Sequence, residues 1–242
     1  MTPRRRPAVL LPAALCAALL AAPACQQATP ARGFAIRYEE PAPADAADAA
    51  LLHTRKPAER AVAALNAYLD LPQRVTVVAR SCTGEGTGYD PDARRIELCY
   101  DDVAEERELL TDEAAVADVV TETVHHEAGH ALVDALDLPF PSARAEEDAA
   151  DRFAALMLIR EGPDGERALR TAAEEYRRAA AADPQDDPEH APPAQRAATH
   201  LCLLHGASPT RHPDLSPQAH TCTPDWPTTR ATWTEALTPF LR

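Results

Sequence analysis

The sequence predicts an α+β domain in which a small, mainly antiparallel sheet packs on several helices. Three observations carry this. Val116, Val120, Val124, Ala128, Ala131 and Ala135 recur at three- and four-residue spacing around His126-Glu127-Ala128-Gly129-His130, an H-E-x-x-H motif on a long, partly buried helix. A second helical stretch follows, with Glu147 and Asp151 four residues apart on one face. Ahead of both, residues 74–81 and 94–100 show the alternation that half-buried strands require.

In chain order, residues 1–24 read as a signal peptide: Arg4, Arg5 and Arg6, an apolar run from Ala8 to about Ala22, then Ala22-Pro23-Ala24 before Cys25. The run is too short to span a membrane. Ordinary cleavage after Ala24 and lipid attachment at Cys25 both remain open, so the only membrane contact expected is a lipid anchor there. Residues 25–57 are rich in Ala, Pro and Asp and read as a tether, interrupted by a short strand at residues 33–38. The remaining chain, residues 58–242, reads as one domain.

That domain opens with a helix over residues 58–71, buried through Val62, Leu65, Tyr68 and Leu69. The two strands follow, joined by a loop through Gly84, Gly86 and Gly88; the second points Ile96, Leu98 and Tyr100 to one side and Arg95, Glu97 and Cys99 to the other. An edge strand of this kind could pair with an extended peptide. Thr111 or Asp112 caps the motif helix, which Leu138-Pro139 ends. Gly129 costs such a helix about 1 kcal/mol relative to Ala, implying that something packs closely there.

His126 and His130, one turn apart on one face, can share one zinc ion. Glu127, about 100° around the helix, is placed to take a proton from a zinc-bound water as it attacks a carbonyl. A third ligand is needed, and the metzincin extension fails because Val133 and Leu136 stand where it requires Gly and His. After the Pro139-Phe140-Pro141 turn, with Ser142 as a cap, Glu147 supplies that ligand and Asp151 a carboxylate to orient a ligating imidazole. Glu146 is the alternative third ligand. His125 points away from the pair, which suits packing rather than ligation.

Further helices are expected over residues 166–182 and 194–205, the latter closed by Gly206, with an acidic, Pro-rich loop over 183–193 and a Pro-rich tail containing Trp226 and Trp233. Candidates for stabilising an oxyanion are His200, Tyr100 and Tyr176; His205 could also approach the site, and Arg196 suits a structural ion pair. Of six cysteines, Cys16 and Cys25 belong to the leader region. Cys82, Cys99, Cys202 and Cys222 then suggest two disulfides in an exported chain, with Cys82–Cys99 and Cys202–Cys222 the most local of three connectivities. Loss of the leader changes the net charge from −14 to −17, because three arginines leave and no acidic residue does. Such a surface excludes nucleic acid as a partner.

H-E-x-x-H followed by E-x-x-A-D resembles the gluzincin group of zinc metallopeptidases, thermolysin-like in the broad sense. The run from His126 through Asp137-Leu138-Pro139 to Glu146-Glu147-Asp148-Ala149-Ala150-Asp151 is similar to an uncharacterised bacterial family described as "putative" zinc metallopeptidases, as are Leu71-Pro72, Ile96-Glu97-Leu98-Cys99-Tyr100, and Gln195-Arg196 ahead of Cys202. The resemblance implies a zincin-like fold, one zinc ion held by His126, His130 and Glu147, catalysis by Glu127, and a peptide or protein substrate. It departs after Cys82, where Thr83, Gly86 and Thr87 replace a Gly and an Asn-Ala pair; a similar pair contacts substrate in thermolysin-like enzymes. The resulting expectation is an exported bacterial zinc metallopeptidase, secreted, periplasmic or lipid-anchored. The alternatives are a noncatalytic zinc- or peptide-binding protein and a zinc amidase acting on a cell-wall substrate.

Overall fold

The computed structural model describes residues 32–182, 188–216, 223 and 225–242; the expected signal peptide over residues 1–24, Cys16, Cys25 and Cys222 lie outside the described residues. The architecture is α+β, with a four-stranded sheet and, among the described residues, eight α-helices. Strand β1 (Gly33–Tyr38) pairs in parallel with β2 (Arg74–Arg80), which pairs in parallel with β4 (Arg95–Cys99). Strand β3 (Gly88–Asp90) closes antiparallel on the far side of β4, giving the order β1-β2-β4-β3.

The sheet is therefore mixed and mainly parallel, which corrects the antiparallel expectation. Two helices carry the chain back from the end of β1 to the start of β2, and β3 makes the return pass between β2 and β4. The alternation holds over Arg95–Leu98, with Ile96 and Leu98 buried and Arg95 and Glu97 partly exposed, but Cys99, expected on the exposed face, is buried in a disulfide, and Tyr100 begins the next helix. However, β4 lies inside the sheet, so the edge beside the motif helix belongs to β3.

The tether expectation also needs correction. Ala46–Arg55 forms helix α1, which sends Ala49, Leu51 and Leu52 into the core, and buried Asp48 accepts from Arg107 Nη1 at 2.7 Å. Lys56, at φ 55°, ends α1 in the left-handed region, and Pro57 starts α2 (Pro57–Tyr68) where a missing N–H costs nothing. Helix α3 (Tyr100–Leu109) is short and highly charged. Its first turn fastens the glycine-rich loop: Asp101 accepts from the N–H groups of Cys82 at 3.0 Å and Gly84 at 2.7 Å, and Asp102 from that of Thr87 at 2.6 Å. The Cys82–Cys99 disulfide, with Cα atoms 5.4 Å apart, ties the same loop to the end of β4.

Helix α4 (Glu113–Leu136) runs through the centre, packed on α2, on the sheet, and on α5 (Ala143–Arg160) and α6 (Pro163–Ala182). Asp112 caps it by accepting from the Ala114 N–H at 2.9 Å, and Ser142 caps α5 by accepting from Ala145. Pro163-Asp164-Gly165 form the first turn of α6, and α7 (Pro193–Ala207) runs through Gly206 instead of stopping there. The tail contains a further helix, α8 (Trp226–Ala236), whose Trp233 ring lies 4.9 Å from that of Phe153. Beyond it the chain returns to α2, where the Asp70 N–H donates to the Phe240 carbonyl at 2.6 Å. No described helix is long and apolar enough to cross a membrane.

Candidate metal centre

The crossing of α4 and α5 builds the site. A Cβ at Gly129 would sit 2.9 Å from Ala150 Cα, so the two backbones touch where only glycine fits. Gly129 lies between His126 and His130 on α4, and Ala150 lies between Glu147 and Asp151 on α5. Close approach at this one point therefore brings both pairs of side chains face to face.

Three donor atoms converge there. His126 Nε2 lies 3.0 Å from Glu147 Oε2, and His130 Nε2 lies 3.3 Å from both. The edge of a tetrahedron around an ion bound at ~2.0–2.1 Å is about 3.3–3.4 Å. The triangle thus matches the face that three ligands of a tetrahedral ion present. Two nitrogens and a carboxylate oxygen are also a donor set that borderline divalent ions accept.

Each ring is held by its other nitrogen. His126 Nδ1 is 2.9 Å from Asp151 Oδ1, and His130 Nδ1 is 3.0 Å from Glu146 Oε1. Such contacts fix both tautomers with Nε2 free to ligate. Glu146 thus backs His130 rather than joining the triangle. Arg196 grips Asp151 in turn, Nε to Oδ2 at 2.9 Å and Nη2 to Oδ1 at 2.6 Å, and its guanidinium stacks 4.3 Å from the centre of the Tyr176 ring.

The electrostatics show a cage that favours positive charge. Burial opposes an imidazolium at His126, but the hydrogen bonds to Asp151 and Glu147 outweigh it and push that group up to about 10. At Glu147 burial is likewise outweighed, and His126, His130 and His190 hold the carboxyl far below its usual range. Glu127 is outside this set of contacts: it is 8% exposed, and burial raises its carboxyl above the ordinary value against the lowering influence of His126 and His130. It lines, with His126, His130 and Glu147, an open cavity of about 580 Å³ bordered by Gly88 and Tyr89 of β3.

Of the other expected participants, Tyr176 borders a cavity that His126 and Glu127 also line, and the rest are placed elsewhere. His200 is fully buried with Nε2 2.8 Å from Glu122 Oε1, and the Tyr176 hydroxyl donates to Glu122 Oε2 at 3.4 Å. Tyr100 donates to the Glu39 carbonyl at 2.9 Å. His205 contacts the His212 carbonyl, and His125 contacts Glu161 at 2.8 Å. The histidine that does reach the cleft is His190, whose Nε2 is 2.9 Å from Glu147 Oε2. It stands on the irregular segment before α7, where no periodicity marks it. Gly86 and Thr87, the departure after Cys82, also line the cleft. Cys82 and Cys99 are bonded to each other, which leaves no thiolate for a metal, and the expected partner of Cys202 lies outside the described residues.

A family model described as "Putative metallopeptidase" matches residues 38–237. No curated protein and no solved structure matches the chain. The family implies a metal, and His126, His130 and Glu147 form a candidate ligand group for one.

Proposed function

The chain belongs to the family described as "Putative metallopeptidase", and from that membership we propose that it is a zinc-dependent peptide hydrolase of gluzincin type. The observation that carries the reading is the triangle of His126 Nε2, His130 Nε2 and Glu147 Oε2, with Glu127 in the same cavity. These three residues would hold zinc, which when bound supplies a Lewis acid that polarises a carbonyl and makes water acidic.

The rest of the chemistry falls to the chain itself. Glu127 accepts a proton from the attacking water and passes it to the departing amine, and its burial-raised carboxyl is better matched to that exchange than an ordinary glutamate. Asp151 and Glu146 keep the two imidazoles in the required tautomer. His190, at the cleft wall, is the side chain best placed to donate to the oxygen of a tetrahedral intermediate. The free edge of β3 offers backbone groups along which an extended peptide can lie. We further propose export from a bacterial cell, which the Cys82–Cys99 disulfide supports because such bonds persist in oxidising compartments.

The test is zinc content and hydrolysis of casein or a peptide library, for the purified protein and for Glu127→Ala, with a chelator control. The expected result is one zinc in both, and cleavage by the unmutated protein only, falling ~10²–10⁴-fold in the variant. Zinc without cleavage of any peptide would favour a binding protein or a cell-wall amide substrate. Absence of zinc would overturn the proposal.

A further inference from the structure

A second cavity, of about 540 Å³, adjoins the first and shares Thr87, His126, Glu127 and His190 with it. Its far wall is acidic: Asp102, Glu105 and Glu106 come from α3, Glu122 from α4 and Glu175 from α6. Acidic walls are common on a chain of this charge, and the feature that sets this one apart is the state of two of its carboxylates.

Glu175 is only 5% exposed, yet its carboxylate takes no hydrogen bond and no ion pair among the described residues. Glu106 Oε2 is likewise buried without a partner among the described residues. The cations nearest by are already engaged. Arg196 is forked onto Asp151, His200 is paired with Glu122, and Arg178 on α6 turns to Glu174 and the Leu109 carbonyl. Burial, and then repulsion from Glu122, pushes Glu175 up to about 7; burial, and then repulsion from Glu175 and Glu122, pushes Glu106 up to about 8. Glu175, buried, and Glu106, half-buried with one oxygen sealed off, face one cavity without a paired cation among the described residues, and such carboxylates are costly to ionise unless a positive group enters.

We propose that this cavity is a subsite for a cationic group of the substrate, a guanidinium or an ammonium, received by Glu106 and Glu175 next to Glu127. The cation is either a Lys or Arg side chain or a free α-amine; the chemistry that recognises them is the same. The hydrolase reading enters only in calling the ligand a substrate. The pocket's preference for positive charge stands on its own geometry.

Calorimetry on the full-length, metal-loaded protein separates these. The probes are N-acetyl-arginine amide, its neutral isostere N-acetyl-citrulline amide, and norleucine amide with and without N-acetylation. Arginine amide is expected to bind at least about tenfold more tightly than citrulline amide. That preference disappears in Glu106→Gln/Glu175→Gln. A preference for free over acetylated norleucine amide, lost in the same variant, would support the site with an α-ammonium as its cation. Equal affinities for charged and neutral probes, or no binding by any probe, would overturn the proposal. Circular dichroism checks that the double variant is folded, and the two single variants, each losing part of the preference, serve if it is not. A parallel cleavage assay with arginine- and citrulline-containing peptides keeps the two readings apart. Charge-selective binding without cleavage defeats the hydrolase and leaves the subsite standing, and cleavage indifferent to charge does the reverse.

Discussion

Two pairs of carboxylates flank α4, and they are provided for in opposite ways. Asp151 and Glu147, on α5, meet an Arg196 fork and three imidazoles, and both are held well below the usual carboxylate range despite burial. Glu106 and Glu175, on α3 and α6, meet chiefly other carboxylates, and both are driven towards or past neutrality. The first pair is fixed and permanently charged, as a ligand and its support must be. The second pair is poised, because its charge depends on what occupies the cavity. The difference lies in neighbours rather than in depth of burial, since Asp151 at 3% exposed and Glu175 at 5% are equally hidden.

The sharpest way to break this contrast is to make the provided side resemble the unprovided one. Asp151→Asn keeps the shape but removes the charge that Arg196 and His126 share. Arg196, whose side chain is 14% exposed, is then left with an uncompensated charge. A loss of about 3–5 kcal/mol is expected from breaking a buried pair. Metal affinity should fall ~10–100-fold through the loosened His126 ring. Chemical unfolding measures the first and competition with a chelator the second; a variant unchanged in both would show that Arg196 and Asp151 are incidental neighbours.

A smaller effect is expected from moving the helices that set the contrast up. Gly129→Ala gains about 1 kcal/mol of helix propensity, but its Cβ would meet Ala150 Cα at 2.9 Å, and backbone cannot yield as a side-chain tip can. Overpacking of this kind costs about 1–3 kcal/mol. The expected outcome is a small net loss of stability in urea, with a several-fold drop in metal affinity as α5 is pushed off α4. A variant more stable than the parent, with metal affinity intact, would mean the contact is slack.

How far the site could be read beforehand follows the same division. His126, Glu127, His130, Glu147 and Asp151 lie on two helices whose periodicity is plain, so four-residue spacing places each on a known face, and Gly129 announces the close contact that Ala150 makes. His190 carries no such signal, because an irregular segment gives a side chain no predictable direction. Glu106 and Glu175 are also silent in the sequence, since they come together only when α3 and α6 pack near one another. Helix α3 itself is hard to foresee with Val103 among a run of acidic residues, and α1 is hidden by a composition that suits a tether. The Asp225-Trp226-Pro227 start of α8, by contrast, is an N-cap followed by an early proline, and was legible in principle. Strand direction could not be read from alternation, which reports which face is buried and not which way the neighbour runs.

The mildest prediction concerns the unprovided pair and its dependence on pH. An unfolded glutamate titrates near 4.3, whereas Glu175 and Glu106 do so at about 7 and about 8 in the folded protein. Between those limits the native state binds more protons than the unfolded state, so stability from this pair is full below about pH 4.3 and is lost as pH rises through 7 and 8. The groups that set the shift face the pair from three helices: Asp102 and Glu105 on α3, Glu122 on α4, and Arg196 on α7, which acts in the opposite sense at Glu175. Glu106→Gln/Glu175→Gln mimics the protonated form at every pH. Its melting temperature should match the parent's near pH 4.3 and exceed it by at least about 2–4 °C at pH 8.5, equivalent to roughly 1 kcal/mol. Adding N-acetyl-arginine amide at pH 8.5 should narrow that gap by stabilising the parent more than the variant. A gap independent of both pH and probe would mean that the two carboxylates are neutralised by something else and that the two sides of α4 do not differ.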